Sequence, residues 1–261
     1  MSKQIQEAYV VAATRAPIGK APRGAFKNVR ADDLLVHALR SVLAQVPALE
    51  PQRVEDVIVG CAMPEGEQGM NVARIGSLLA GLPDTVGGMT VNRFCASGLS
   101  AISIAADRIR TGEADVMIAA GTETMSHVPM MGNTPSLNPA IFASNEHVGI
   151  AYGMGITAEK VAERWKVSRE DQDAFALASH RKALTAQQNG EFTAEITPIE
   201  VVERFPDLER GQVRAVSKTV ALDEGPRADT NLEVLSKLKP AFAARGSVTA
   251  GNSSQMSDGA G

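Results

Sequence analysis

The chain has 261 residues, 44% of them hydrophobic and 21% charged, with a formal net charge of −4. That is enough apolar material for a sizeable core, and it excludes low-complexity and collagen-like polymers. The mild acidity argues against a general nucleic-acid binder, which carries a strongly basic face, and two cysteines, Cys61 and Cys95, cannot build a disulfide framework.

The first residues, Met1 to Glu7, are polar. No apolar stretch has the length of a signal peptide core or a membrane span, so the expectation is a soluble, cytoplasmic protein with no membrane partner. Tyr9 to Ala13 reads as a buried strand closed by Arg15, Pro17 and Gly19. Asp32 or Asp33 is placed to cap a helix carrying Leu35, Leu39, Val42 and Val46 on one face. Val54 to Val59 reads as a strand ended by Gly60, Asn71 to Ala80 as a helix, and Met89 to Val91 as a strand. A helix follows in which Leu99, Ile102, Ala105, Ala106 and Ile109 recur at helical spacing, and Asp115 to Ala120 is the next strand. Strands alternating with helices imply an α/β layered fold, and apolar strands without alternation imply a sheet covered on both faces.

After Gly121 the character changes. Met125 to Tyr152 is rich in Met, Pro, Asn and Gly and shows no period, a length at which loops are usually functional or disordered. Helices are expected over Thr157–Trp165 and Ser168–Gln188, the second opened by a capping pair, Ser168 with Asp171. Pro206 to Arg214 reads as a charged surface loop, Asn231 to Leu238 as a short helix, and Val248 to Ala250 as a strand returning to the core.

The chemistry centres on Cys95. The pattern puts it on a strand-to-helix turn among small residues, Ala96, Ser97 and Gly98. Free backbone N–H groups and the positive end of a helix dipole favour a thiolate there, and the Cys95 N–H is one candidate oxyanion donor. Read without context, a lone cysteine is as readily a packed thiol, which is the reading for Cys61. The histidines give no clear base: His37 and His180 lie on expected helices as surface groups, and nothing marks His127 or His147 in the long loop.

Four motifs then carry a resemblance. Asn92-x-x-Cys95-x-Ser97-Gly98-Leu99-x-Ala101 resembles the nucleophile motif of the thiolases. Gly121-Thr122-Glu123-Thr124-Met125-Ser126 is similar to their G-x-E-x-M-S segment, and Met154-Gly155-Ile156-Thr157-Ala158-Glu159 to their M-G-x-T-A-E segment. Val248-Thr249-Ala250-Gly251-Asn252-Ser253-Ser254, running on to Asp258-Gly259-Ala260, resembles the segment that closes the N-terminal half.

The resemblance implies a layered αβαβα fold built from two similar halves, of which this chain is the N-terminal one. Residues 1–121 and 248–261 would form its core, residues 122–247 an inserted, mainly helical loop domain that binds CoA, and the C-terminal half would be absent. It implies an acyl-CoA C-acyltransferase that cleaves 3-ketoacyl-CoA with CoA, through an acyl-Cys95 intermediate, in fatty-acid or related degradation. The CoA contacts it implies are Arg227, from Asp223-Glu224-Gly225-Pro226-Arg227, together with Ser254, Ala250 and Phe242, while Met154 would line the acyl end. Gly153 stands where short-chain biosynthetic members often carry a histidine, which favours a degradative enzyme. Glu123, Asn92 and Asn252 take orienting rather than chemical roles. No permanently bound cofactor and no metal are implied; CoA and acyl-CoA are substrates, and the expected partner is a second copy, as homodimer or homotetramer. The family's G-H-P, C-x-G and N-E-A-F motifs, which bring the activating histidine, a second cysteine and an oxyanion asparagine, do not occur. The implied active site is therefore incomplete. The rival readings are a ketoacyl synthase-like condensing enzyme and a non-catalytic acyl-CoA binder.

Overall fold

Short apolar runs bounded by turns become the centre of a five-stranded sheet. A computed structural model describes residues 5–261 of the chain. Strands β1 (Gly19–Lys20), β2 (Asp56–Gly60), β3 (Gly87–Val91), β4 (Met117–Thr124) and β7 (Ser257–Ala260) lie in the order β1-β7-β4-β2-β3. β2 pairs in parallel with β3 and β4, whereas β7 runs antiparallel to both β1 and β4.

Both faces of β2 are covered, as the lack of alternation in its sequence requires. Val57 and Val59 join Leu35 and Leu39 of α1 (Ala31–Ala44) and Val72 and Ala73 of α2 (Val72–Ala80). Ile58, pointing the other way, packs on Ala101 and Ala105 of α3 (Ser97–Arg110). All three β2 side chains are fully buried, and each contributes roughly 2 kcal/mol of apolar burial.

Helix α3 meets the sheet at the end of β2. A Cβ at Gly60 would collide with the backbone of Ser97 and Gly98. Glycine at 60 is what lets the first turn of α3 lie directly on the strand.

The residues group into two compact units. One is the chain up to Asn133 with Phe192–Glu224 and Met256–Gly261; the other is Thr134–Glu191 with Gly225–Gln255. These limits differ from the expected 1–121 with 248–261 and 122–247. Residues 199–220 belong with the sheet because Ile199, Val201 and Val220 are buried against Phe26 and Leu34.

Four local expectations are corrected. Pro206 to Arg214 is the outer part of a hairpin, β5 (Ile199–Asp207) and β6 (Gln212–Val220), whose exposed tip reads as polar loop because neither face there is buried. Tyr9 to Ala13 forms no strand and is exposed, Val10 at 81% and Val11 at 82%. Val248 to Ala250 forms no strand either, since side chains take the backbone groups a ladder would use. Neither Asp32 nor Asp33 caps α1. Arg30 is the N-cap without a side-chain bond, and the Asp32 carboxylate is held instead by the Arg30 guanidinium at 2.8 and 2.9 Å.

The second unit is helical: α4 (Met154–Trp165), α5 (Arg169–Gln188) and the short α6 (Leu232–Ser236). Ser168 caps α5 as its spacing requires, accepting from Asp171 N–H at 3.0 Å. Among the described residues no helix is long and apolar enough to cross a membrane.

Gly60→Ala is expected to lower the unfolding free energy by about 3 kcal/mol, because backbone rather than a flexible side chain must give way. Gly98→Ala, whose Cβ would meet nothing within 4 Å, is expected to shift it by less than about 1 kcal/mol. Urea denaturation of the two variants measures the contrast.

Candidate active site

The turn from β3 into α3 is braced by its own side chains. Phe94 N–H donates to Asn92 Oδ1 at 2.8 Å, an Asx turn that supports the orienting role expected of Asn92. Ser97, 3% exposed, accepts from Arg93 N–H at 2.8 Å and donates to Phe94 C=O at 2.6 Å through the same oxygen. These bonds hold Phe94 at φ +46°, a left-handed conformation that costs a non-glycine residue on the order of 1 kcal/mol. Cys95 follows this strained residue, two positions ahead of the first residue of α3, and is exposed.

Cys61 shares this edge of the sheet but not the environment. Its N–H donates to Val91 C=O at 3.1 Å, so the ends of β2 and β3 are joined there. Its side chain is 1% exposed inside the α1–α2 core. Burial, and then the Glu123 charge, push the thiol up to about 12, against a smaller opposing bond from Met63. This is the packed thiol that its sequence setting implied.

Beneath the edge, buried polar groups tie loops to β4. Glu123 accepts from Ala62 N–H at 2.7 Å and from the Gln68 side-chain amide. Gln68, fully buried, donates also to Met63 C=O at 2.9 Å and accepts from Thr124 N–H at 2.9 Å. One glutamine side chain thus replaces a missing strand neighbour for the 61–69 loop. Asp258, likewise fully buried, accepts from Ser126 N–H at 2.9 Å and Ser126 Oγ at 2.6 Å. Two of the four sequence motifs therefore meet here, and Glu123 and Asp258 satisfy backbone. Sequence reasoning missed Gln68, since an isolated glutamine in a loop carries no period or spacing that marks it.

Three of the four histidines are bonded to backbone. His37, expected on the surface, is half-buried and bonds Thr197 C=O at 3.0 Å, and His127 bonds Lys27 C=O at 2.9 Å. In the second unit His147 is exposed, while His180, also expected as a surface group, is half-buried and accepts from Arg227 N–H at 3.1 Å through Nδ1.

The residues expected to contact CoA, all in the second unit, are exposed and lie on a built frame. Met154 opens α4, and Gly155 after it lies so close to Phe242 that a Cβ there would collide with the ring. Glu159 accepts from Ser247 N–H at 2.9 Å and Val248 N–H at 3.0 Å. Asn252 accepts from Thr249 N–H at 2.7 Å and donates to Asp173 at 2.9 Å and to Ser247 C=O at 3.1 Å. Asp173, 4% exposed, is also held by Arg169 at 2.8 Å. Glu159, Asp173 and Asn252 thereby fix the irregular segment that carries Ala250 and Ser254. The Arg227 guanidinium forms a bidentate pair with Asp229 at 2.8 and 3.1 Å and holds that carboxyl below the usual range. Among the described residues no group of three or more His, Cys, Asp or Glu is placed to hold a metal.

Alkylation with iodoacetamide at pH 8 is expected to modify Cys95 at least about 100-fold faster than Cys61, because the buried thiol is almost never ionised. Peptide mass spectrometry over time reads the two rates. Asn252→Ala leaves Asp173 and Thr249 N–H each short of a partner. It is expected to cost about 2 kcal/mol, seen as faster proteolysis of the 225–255 segment.

Comparison with known proteins finds similarity over nearly the whole chain. A family model, "Thiolase, N-terminal domain", matches residues 8–261. A 3-ketoacyl-CoA thiolase of Bacillus subtilis (strain 168) is 45% identical over 261 residues, which cover 98% of this chain and 64% of that protein. The peroxisomal 3-ketoacyl-CoA thiolase A of Mus musculus is 45% identical over 251 residues, covering 96% and 57%. The crystal structure of the Bacillus anthracis acetyl-CoA acetyltransferase superposes with a TM-score of 0.83 at 37% identity, covering 99% of this chain and 65% of that one. The chain thus spans somewhat less than two thirds of the length of these relatives.

Proposed function

The chain belongs to the thiolase family and has its layered α/β fold, and from that premise we propose that Cys95 is the acyl-accepting nucleophile of an acyl-CoA C-acyltransferase. The substrates in this reading are a 3-ketoacyl-CoA and free CoA, with no permanently bound cofactor, and the setting is the degradation of fatty or related acids. The exposed Cys95 on a self-braced, strained turn at the start of α3 carries the reading. Strain held by surrounding bonds concentrates where a side chain must be presented.

In the first half-reaction the Cys95 thiolate attacks the keto carbonyl carbon. The tetrahedral oxyanion collapses, the C–C bond breaks, and the electron pair leaves as the enolate of acetyl-CoA, which takes up a proton at carbon. In the second, the CoA thiolate attacks the acyl-Cys95 thioester and releases the shortened acyl-CoA and the cysteine. The two thioesters are close in energy, so the transfer divides into two accessible steps. The Cys95 N–H is offered as one oxyanion donor. The histidines described above are bonded to backbone or exposed, and the acid and base of the cycle are assigned to none of them.

The CoA end is read onto the second unit. Arg227 would meet the phosphates or stack on adenine, exchanging its exposed, solvent-screened pair with Asp229. Ser254, Ala250 and Phe242 would meet the pantetheine arm, Met154 the acyl end, and residues 122–247 remain the proposed CoA-binding insertion. The proposed setting is the cytoplasm, and the proposed assembly is a homodimer or homotetramer. Met70, 90% exposed, and Phe94, 63% exposed, are apolar groups that such an assembly would cover.

Incubation with a short 3-ketoacyl-CoA followed by peptide mass spectrometry tests the nucleophile. Acyl groups confined to Cys95, and lost in Cys95→Ala, are expected. Equal labelling of Cys61, or acylation that survives Cys95→Ala, overturns the assignment.

A further inference from the structure

The hairpin of β5 and β6 has an outer edge with no strand partner among the described residues. β5 pairs with β6 from Ile199 opposite Val220 to Asp207 opposite Gln212, and the two strands form a sheet of their own. Pro206 has no N–H and lies opposite Val213. An antiparallel ladder alternates hydrogen-bonded and non-bonded pairs, and a proline belongs to a non-bonded one. By the same alternation Glu200, Val202 and Arg204 sit in non-bonded pairs, so they turn their N–H and C=O to the outer edge of β5. One face of the hairpin is buried through Ile199, Val201 and Val220 against Phe26 and Leu34. Glu200, Val202 and Arg204 lie on the opposite face and are exposed. Neither charge has an ion-pair partner among the described residues.

The free run is symmetric about Val202. Pro198 and Pro206 close it, each four residues from Val202, and Glu200 and Arg204 stand two residues to either side. A second copy laid antiparallel with Val202 opposite Val202 sets Glu200 opposite Arg204 twice. It also pairs the outward N–H and C=O groups of all three residues, about six hydrogen bonds in all. Other registers lose on both counts. Centring the pair on Glu200 or Arg204 opposes like charges and sets Val202 against a proline, which donates nothing. Centring it on Val201 or Glu203 sets one charge against an apolar or unlike-sized neighbour and the other against a proline.

We propose that the outer edge of β5 is a self-association edge, to which a second copy of this chain adds its own β5 antiparallel in the register centred on Val202. The product is a continuous sheet in the order β6-β5-β5-β6. Charges on an exposed edge strand ordinarily repel another strand. Here their opposite signs at symmetric positions reject every register but one, and that one is met by the same sequence read from the other copy. This names a face for the homo-oligomer proposed above, and it rests on that self-association but not on the chemistry of Cys95.

Sedimentation equilibrium of the whole chain with charge-exchanged variants tests this. Glu200→Arg and Arg204→Glu each oppose like charges and are expected to raise the dissociation constant of one association step at least tenfold. The double variant E200R/R204E restores opposite charges and is expected to recover the parent value within about threefold. An equimolar mixture of the two single variants recovers it as well, as a mixed pair. In deuterium-exchange mass spectrometry, residues 200–204 are expected to gain protection as the parent protein is concentrated, and not to gain it in Glu200→Arg. Single variants that associate as tightly as the parent overturn the proposal and leave the homo-oligomer standing through another face. Weakening without recovery in the double variant or the mixture overturns it too. A parent chain that stays monomeric removes both the proposal and the assembly. Protection brought to a monomeric parent only by an unrelated valine-rich peptide makes the edge a docking strand for another protein and overturns the second copy as its occupant.

Discussion

The close approach of α3 to the end of β2 is the constraint on which the candidate site depends. With no side chain at Gly60, the backbone of Ser97 and Gly98 rests on the strand, and the helix is pinned from below by Ile58 against Ala101 and Ala105. The residues between β3 and α3 then have five positions in which to reverse direction. They do so only with Phe94 in a left-handed conformation and Ser97 bonding twice across the turn. The exposure of Cys95 follows from that geometry. The position of the thiol is a consequence of packing, since a glycine 35 residues earlier in the sequence sets where it can stand.

The two cysteines show how much environment decides. They lie at the same edge of the sheet, joined through the Cys61 N–H and Val91 C=O. One thiol is surrounded by the α1–α2 core with Glu123 nearby, and its ionisation is suppressed. The other projects from a turn into the open. Residue type is identical; reactivity differs because ionising a buried thiol without a counter-charge is costly.

Buried and half-buried carboxylates brace irregular segments in both units. Glu123 and Asp258 accept from backbone N–H groups beside β4, Glu159 does so at residues 247 and 248, and Asp173 accepts from the Asn252 side-chain amide. The bonds of Glu123, Asp258 and Glu159 replace hydrogen bonds that an irregular segment cannot obtain from a ladder. Removing one such partner exposes a buried group to the full desolvation cost. This explains why chemically suggestive acids in the motifs have architectural roles here.

What the sequence determined by itself was local. Periodicity placed α2, α3 and α5 within a few residues, the Ser168 and Asn231 caps have the bonds their spacing implies, and the small residues around Cys95 marked a strand-to-helix turn. The alternation of strand and helix was enough for an α/β fold, and four ordered motifs were enough for the family. What the tertiary structure alone decided was pairing over distance. Val10 and Val11 have the composition of a buried strand yet lie unpaired, while Glu203, Arg204 and Arg214, polar enough for a loop, sit in a regular hairpin. Leu99 and Ile102 form an apolar stripe that is left exposed, and Ile58 of the sheet is met by Ala101 and Ala105 instead. Gln68 and the two-sided role of Ser97 were invisible for the same reason. A strand's identity lies in the neighbour that satisfies its backbone, and a buried polar side chain's role lies in the groups it finds. Neither is encoded within the few residues over which sequence patterns act.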